Sequence, residues 1–139
     1  MPLTPPVPRE HSHTRSVECR GYRRRDGLWD IEGRLVDTKP YAFPNEEGGM
    51  RAAGEPVHDM WIRLTLDDDM VIRGCEAAMD ANPYPVCSQI TPNFARLEGI
   101  RIGKGWIAEV NRRIGGVDSC THLRELLRPM ATTAFQTMY

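Results

Sequence analysis

The stretch that decides the fold reads His58-Asp59-Met60-Trp61-Ile62-Arg63-Leu64-Thr65-Leu66, turns at Asp67-Asp68-Asp69 and returns as Val71 to Met79. Met60, Ile62, Leu64 and Leu66 alternate with Trp61, Arg63 and Thr65. An apolar period of two puts one set of side chains on each face of a strand, which a helix of 3.6 residues per turn cannot do. The three aspartates are consecutive and lack the spaced oxygen ligands of a calcium loop, so they form a solvated turn. The expected element is a half-buried hairpin entered from His58.

Working back towards the N-terminus, residues 15–24 and 27–36 form a second hairpin around Asp26-Gly27, a strong turn signal. On its second strand Trp29, Ile31, Gly33 and Leu35 share one face, and Asp30, Glu32 and Arg34 share the other. Residues 1–14 carry a cluster of prolines and read as an extended arm that includes His11 and His13. Residues 44–56, polar and rich in glycine, read as a loop or lid between the two hairpins.

Downstream the period changes to that of helices. Thr91-Pro92 caps a short helix with Phe94 and Leu97 on its apolar side, ending at Gly99. Trp106 to Ile114 forms a second helix, stopped by Gly115-Gly116. Ser119 caps a third, along which Leu123, Leu126, Leu127, Met130, Ala134 and Met138 recur at helical spacing, with Pro129 expected to kink or divide it. The fold class is therefore α+β: an antiparallel sheet of two hairpins packed against C-terminal helices. Residues 1–139 are expected to form one domain, with the arm at 1–14, one hairpin at 15–43, the loop at 44–56 and the second hairpin plus helices at 57–139.

Composition sets the function classes. A chain of 139 residues is long enough for one core, and 40% hydrophobic with 27% charged residues is close to the soluble average. A formal net charge of −1 lacks the basic excess of a nucleic-acid binder, so no nucleic-acid partner is expected. There is no apolar run near the ~20 residues of a membrane span, and the N-terminus does not resemble a signal peptide. The expectation is a cytoplasmic protein with no membrane partner and a small-molecule ligand; self-association into a homo-oligomer is left open. In a reducing compartment the four cysteines are core thiols or metal ligands rather than disulfides.

Cys120-Thr121-His122 opens the last helix, where free amides and the helix dipole favour a thiolate, and His122 lies within reach to coordinate or move a proton. The alternative is an ordinary capped helix with a small buried cysteine. Cys87 sits in Pro83-Tyr84-Pro85-Val86-Cys87, a rigid connection before a helix, where it either is held for chemistry or plugs an apolar turn. His58 stands at a strand entry, either as a surface histidine or as a ligand. Cys19 and Cys75 fall within strands and are read as core thiols. Arg20, Tyr22, Arg23, Asp26, Trp29, Asp30, Glu32, Asp37 and Lys39 make the N-terminal hairpin dense in side chains that suit an anionic or phenolic ligand; the bland reading is the solvated face of a sheet. Arg20 and Tyr22, on one strand face, are the best ligand contacts among them. His11 and His13 offer a base or an extra ligand.

A hairpin entered from His58, a helix entered from Cys87 and a final helix entered from Cys120 together resemble the iron–sulfur scaffold proteins of the IscU and NifU group. The resemblance covers about residues 57–135. It places His58 where the scaffold has its first cysteine, with Cys87 and Cys120 at the second and third positions. It implies that His58, Cys87, Cys120 and His122 converge on one transition metal ion, a two-histidine, two-thiolate set suited to zinc or iron, with an iron–sulfur cluster less favoured.

Over nearly its whole length the chain also resembles an uncharacterised bacterial family of unknown function, through Arg15 to Tyr22, Asp26 to Gly33, Cys120 to Leu123 and Ala131 to Thr137. That family looks common in bacteria that degrade aromatic compounds. The leading expectation is a metal-dependent lyase or hydrolase for a small aromatic or carboxylated compound, with His122, His11, Arg20 and Tyr22 as catalytic or contact residues. The alternatives are iron–sulfur or sulfur trafficking and a structural zinc site.

Overall fold

Each turn organises its hairpin through an aspartate side chain. At Asp26-Gly27 the Asp26 carboxylate accepts the Leu28 amide at 3.1 Å, and Gly27 takes φ 90°, a left-handed conformation that a side chain would strain. At the acidic turn Asp67 Oδ1 accepts the amides of Asp69 and Val71 at 2.9 and 3.0 Å, and Oδ2 accepts from Arg73 Nε at 2.8 Å. Of the three aspartates, then, Asp67 builds the turn, while Asp68 accepts the indole N–H of Trp29 at 2.9 Å and ties the two hairpins together.

These elements come from a computed structural model, which describes residues 3–44, 48–81 and 85–139, without the side chains of 81, 85–89 and 117. The strands are β1 (Thr14–Arg23), β2 (Trp29–Thr38), β3 (Phe43–Pro44), β4 (Met50–Arg51), β5 (Pro56–Leu66) and β6 (Ile72–Ala81). The two hairpins join edge to edge into one antiparallel sheet of order β1-β2-β5-β6. Two helices follow, α1 (Trp106–Ile114) and α2 (Thr121–Met138), preceded by 3₁₀ turns over Pro85–Leu97. The expected α+β architecture of an antiparallel sheet with C-terminal helices is present. Among the described residues, no helix is long and apolar enough to cross a membrane.

One face of the sheet carries the core. Ile31, Leu35, Met60, Ile62, Leu64 and Leu66 are buried against Leu123, Leu126, Leu127, Met130 and Ala134 of α2, with Phe94, Leu97, Val110 and Ile114 closing the end. Each such side chain contributes roughly 1.5–3 kcal/mol by leaving water. Helix α2 approaches closely because glycines lie beneath it: a Cβ at Gly33 would meet Met130 Sδ at 2.7 Å, and one at Gly21 would collide with Thr137. The opposite face carries crossed charges and is open to solvent. Arg20, Glu32, Arg63 and Glu76 form one row of register partners across all four strands.

Several boundaries differ from the sequence expectation. The 44–56 segment contains part of a short ribbon, β3 paired with β4, in place of a plain loop. Strand β5 begins at Pro56, so His58 lies inside the strand rather than at its entry. The first helical segment begins at Pro85 instead of Thr91 and runs as 3₁₀ turns through Pro92; its prolines remove amide donors that an α-helical ladder would use. Cys87 is thus within this segment, not before it. Helix α2 is capped by Cys120, not Ser119, and is continuous through Pro129, so the expected division is absent.

Candidate metal centre

The period-two pattern of the two central strands does not stop where their apolar residues stop. On β2 the inward positions run Ile31, Gly33, Leu35 and then Asp37; on β5 they run Leu66, Leu64, Ile62, Met60 and then His58. Asp37 and His58 are register partners, and on the other side Asp37 partners Arg15 of β1. Arg15, Asp37 and His58 therefore form one polar row across three strands, on the face that α2 covers. The start of α2 brings His122 over this row.

Asp37 is the centre of the row, with its side chain 1% exposed. Its Oδ1 accepts from Arg15 Nε at 2.8 Å and His13 Nε2 at 3.0 Å; its Oδ2 accepts from Arg15 Nη2 at 2.8 Å and His58 Nδ1 at 2.7 Å. Burial works to raise the Asp37 pKa, but the bonds from Arg15, His13 and His58 outweigh it and hold the carboxyl well below its usual range. An ionised carboxylate only accepts, so His58 carries its proton on Nδ1 and keeps a lone pair on Nε2. Burial lowers the pKa of His58, and nearby His122 lowers it further, against the opposing bond to Asp37, which favours the neutral ring.

His58 Nε2 is the unusual atom. It is buried and, among the described residues, has no hydrogen-bond partner, a costly state for a ring nitrogen. The His122 ring lies 4.1 Å away, centroid to centroid, tilted by 30°. Cys120 Sγ lies 3.9 Å from His122 Nδ1. At the N-cap Cys120 makes no side-chain capping bond, so the amide contacts expected to activate its thiol are absent. Asp37, His58 and His122 bring one ligand atom each within 4.8 Å of one another, a group that could hold a metal ion.

Of the four ligands expected from sequence, His58 and His122 meet here with Asp37; Cys120 touches His122 but is not part of the group within 4.8 Å, and the Cys87 side chain lies outside the described residues. Asp37 belongs to the site, although sequence reasoning placed it only in the polar wall of the N-terminal hairpin. The signal that could have found it is a carboxylate on the inward face, in line with Ile31, Gly33 and Leu35. His13 is drawn in through Asp37. His11 lies one step further out, with Nε2 2.7 Å from Thr14 Oγ1 and 3.0 Å from the His13 carbonyl oxygen.

Arg20 and Tyr22 do not reach this centre. They lie on the outer face of β1 in a shallow depression with Glu18, Glu32, Arg34 and Trp61, where Arg20 is paired with Glu18. Their parity in the strand decides this: Arg15 and Cys19 face α2, so Arg20 and Tyr22 face away. Cys19 and Cys75 pack against the core as expected, and burial raises both thiols, Cys75 to about 12.

No curated protein and no solved structure matches the chain, so the likeness to the IscU and NifU scaffolds finds no support there. A family model does match, and its span takes in His13, Arg15, Asp37, His58, Cys120 and His122 together. By that match over residues 13–136, the chain belongs to DUF2889, a family of proteins of unknown function.

Proposed function

We propose that the protein binds one transition metal ion through His58 Nε2, His122 and Cys120, and uses it as a metal-dependent lyase or hydrolase for a small aromatic or carboxylated compound. The observation that carries the metal reading is the buried, partnerless Nε2 of His58, whose other nitrogen is fixed by Asp37. A ligating histidine is commonly held by a carboxylate in this way, which sets its tautomer and orientation.

Asp37 is better suited to holding than to ligating, because its two oxygens already accept four hydrogen bonds. Two imidazoles and a thiolate suit zinc or iron. Three protein ligands leave a coordination position for water or a substrate oxygen, the arrangement of a catalytic rather than a structural site. Cys120 and His122 are only half-buried, which leaves a route to that position.

The test is metal analysis of untagged protein, repeated on His58→Ala and His122→Ala. Near-stoichiometric zinc or iron in the parent, lost in both variants, is the expected result; metal-free parent protein, or full metal content in both variants, overturns the centre. The enzymatic part fails separately if the loaded protein turns over no ester, amide or hydroxy-acid probe and chelation simply unfolds it, as a structural zinc site would. A brown protein after anaerobic reconstitution with iron and sulfide would replace the single ion with a cluster.

A further inference from the structure

The two edges of the sheet are finished differently. At β6 the first residues are closed off: Ile72 N–H donates to the Ile100 carbonyl oxygen at 2.8 Å, the Ile72 carbonyl accepts from Gly99 N–H at 2.7 Å, and Arg101 bridges Val71. The β5–β6 ladder is also interrupted by two register irregularities. At the other edge β1 pairs with β2 over ten residues without a bulge and contains no proline. Among the described residues, no strand or loop hydrogen-bonds to the outer side of β1. Natural proteins usually blunt a long, regular edge of this kind, because it is a template for another strand.

The hairpin turn fixes which backbone groups point outward. Arg24 N–H donates to the Leu28 carbonyl oxygen at 2.8 Å and closes the ladder. By alternation from that pair, Thr14, Ser16, Glu18, Arg20 and Tyr22 bond to β2, while Arg15, Val17, Cys19, Gly21 and Arg23 direct their amides and carbonyls away from it. Above this edge lies the flank of α2, where Thr133 meets Cys19 and Thr137 covers Gly21. From Pro129 to Met138 the helix has no charged residue, so nothing there repels a second helix brought alongside. Val17, although on the side that α2 covers, is 46% exposed.

We propose that β1 is the interface with a second copy of this chain, paired antiparallel about a two-fold axis at Cys19, so that two four-stranded sheets become one of eight. A second copy fits better than an unrelated strand because the edge is complementary to itself in this register. On the outer face Glu18 falls opposite the partner's Arg20 at both symmetric positions, and Ser16 falls opposite the partner's Tyr22. On the inner face Val17 falls opposite the partner's Gly21, which has no side chain to compete for the space. Sliding the register by one pleat in either direction sets Glu18 against the partner's Glu18, or Arg20 against the partner's Arg20, so like charges reject both alternatives. Arg15 and Arg23 meet at the ends, where Arg15 is already tied to Asp37 and Glu125 and Arg23 lies over the Trp29 ring. The outward residues exchange about ten backbone hydrogen bonds in all, the usual number for a specific interface.

The test is sedimentation of the untagged full chain across a concentration series, joined to amide hydrogen exchange. The expected result is a monomer–dimer equilibrium in which the Val17, Cys19 and Gly21 amides are protected in the dimer and exposed on dilution. The Glu18 and Arg20 amides, bonded to β2, stay protected throughout and report that the hairpin is intact. Val17→Pro removes an outward amide and none of the bonds from β1 to β2, so it should remain folded and weaken the dimer by about tenfold or more. Glu18→Arg, which sets like charges opposite each other, should also weaken it by about tenfold, and adding Arg20→Glu should restore it. This exchange of charge decides the matter if Val17→Pro fails to fold. A chain that stays monomeric throughout the series, a dimer whose Val17, Cys19 and Gly21 amides exchange freely, or parental affinity in folded Val17→Pro or in Glu18→Arg overturns the proposal. Metal content plays no part in this readout, so its failure is distinct from that of the metal centre.

Discussion

Asp37 and His58 are direct cross-strand partners whose side chains meet at 2.7 Å on the buried face of the sheet, where hydrophobic pairs are the rule. The pair continues the two apolar rows of β2 and β5 and converts the end of the core into a polar site. Removing one partner from such a group leaves the others desolvated and unpaired. Asp37→Ala, which strands Arg15, His13 and His58 together, is expected to cost about 2–4 kcal/mol in urea denaturation. Asp37→Asn keeps the shape but not the charge; it should cost less and lower metal affinity about 10–100-fold by loosening His58. Unchanged affinity in Asp37→Asn would mean that Asp37 does not position the ligand.

The close approach of α2 to β1 and β2 makes a second expectation. Gly21 has no room for a Cβ because Thr137 occupies the space above it, and Thr137 is held there by donating to the Thr133 carbonyl oxygen at 2.7 Å. Gly21→Ala is expected to destabilise the fold by about 1–3 kcal/mol through overpacking. Adding Thr137→Ala should recover most of this, since it removes the colliding atoms. A double-mutant cycle in urea measures the coupling, and additive losses would show that the helix shifts as a body instead.

The sequence pattern made the sheet legible because alternation is a local property: Met60 to Leu66 shows its buried face without any knowledge of its neighbours. The same alternation held the key to the site, and stopping it at the last apolar residue hid Asp37. Arg20 and Tyr22 were attractive for their chemistry, but strand parity, readable from Ile31 and its paired strand, turns them away from α2. Cys120 and His122 were legible from their place at a helix start. The meeting of His122 with His58 depends on how α2 lies across β2, which rests on the glycines at 21 and 33 and is not written in any one segment. The length of the 3₁₀ segment at Pro85–Leu97 was hidden for a different reason: its prolines mark an interruption, and nothing local says that turns begin before it.

Cys75 offers a test by pH. Burial, with help from Glu98 and Glu76, raises its thiol from an ordinary 9.0 to about 12. The folded chain keeps this proton between those values while the unfolded chain has released it. The stability contribution is therefore intact below about pH 9.0 and is lost progressively as pH rises towards about 12. Stability measured along this range should fall less steeply in Cys75→Ala than in the parent. Cys75 should also react with iodoacetamide more slowly than Cys120 near neutral pH, read by peptide mass spectrometry. Equal slopes and equal labelling would place Cys75 in a wetter setting than its packing against the core implies.

The outer face of the sheet separates the two readings of the N-terminal hairpin most directly. Arg20 is largely exposed and already paired with Glu18, and Tyr22 is 44% exposed, so neither has a structural partner whose loss is costly. Arg20→Ala and Tyr22→Phe are each expected to change stability by no more than about 0.5 kcal/mol and to leave metal content at the parental level. Arg15→Ala, only five residues away but on the other face, removes two of the four hydrogen bonds that Asp37 accepts and should lower stability and metal retention together. The comparison uses one strand, one residue type and opposite faces. If Arg20→Ala depleted metal as Arg15→Ala does, the sheet would not divide the two surfaces, and the centre would have to include the outer face.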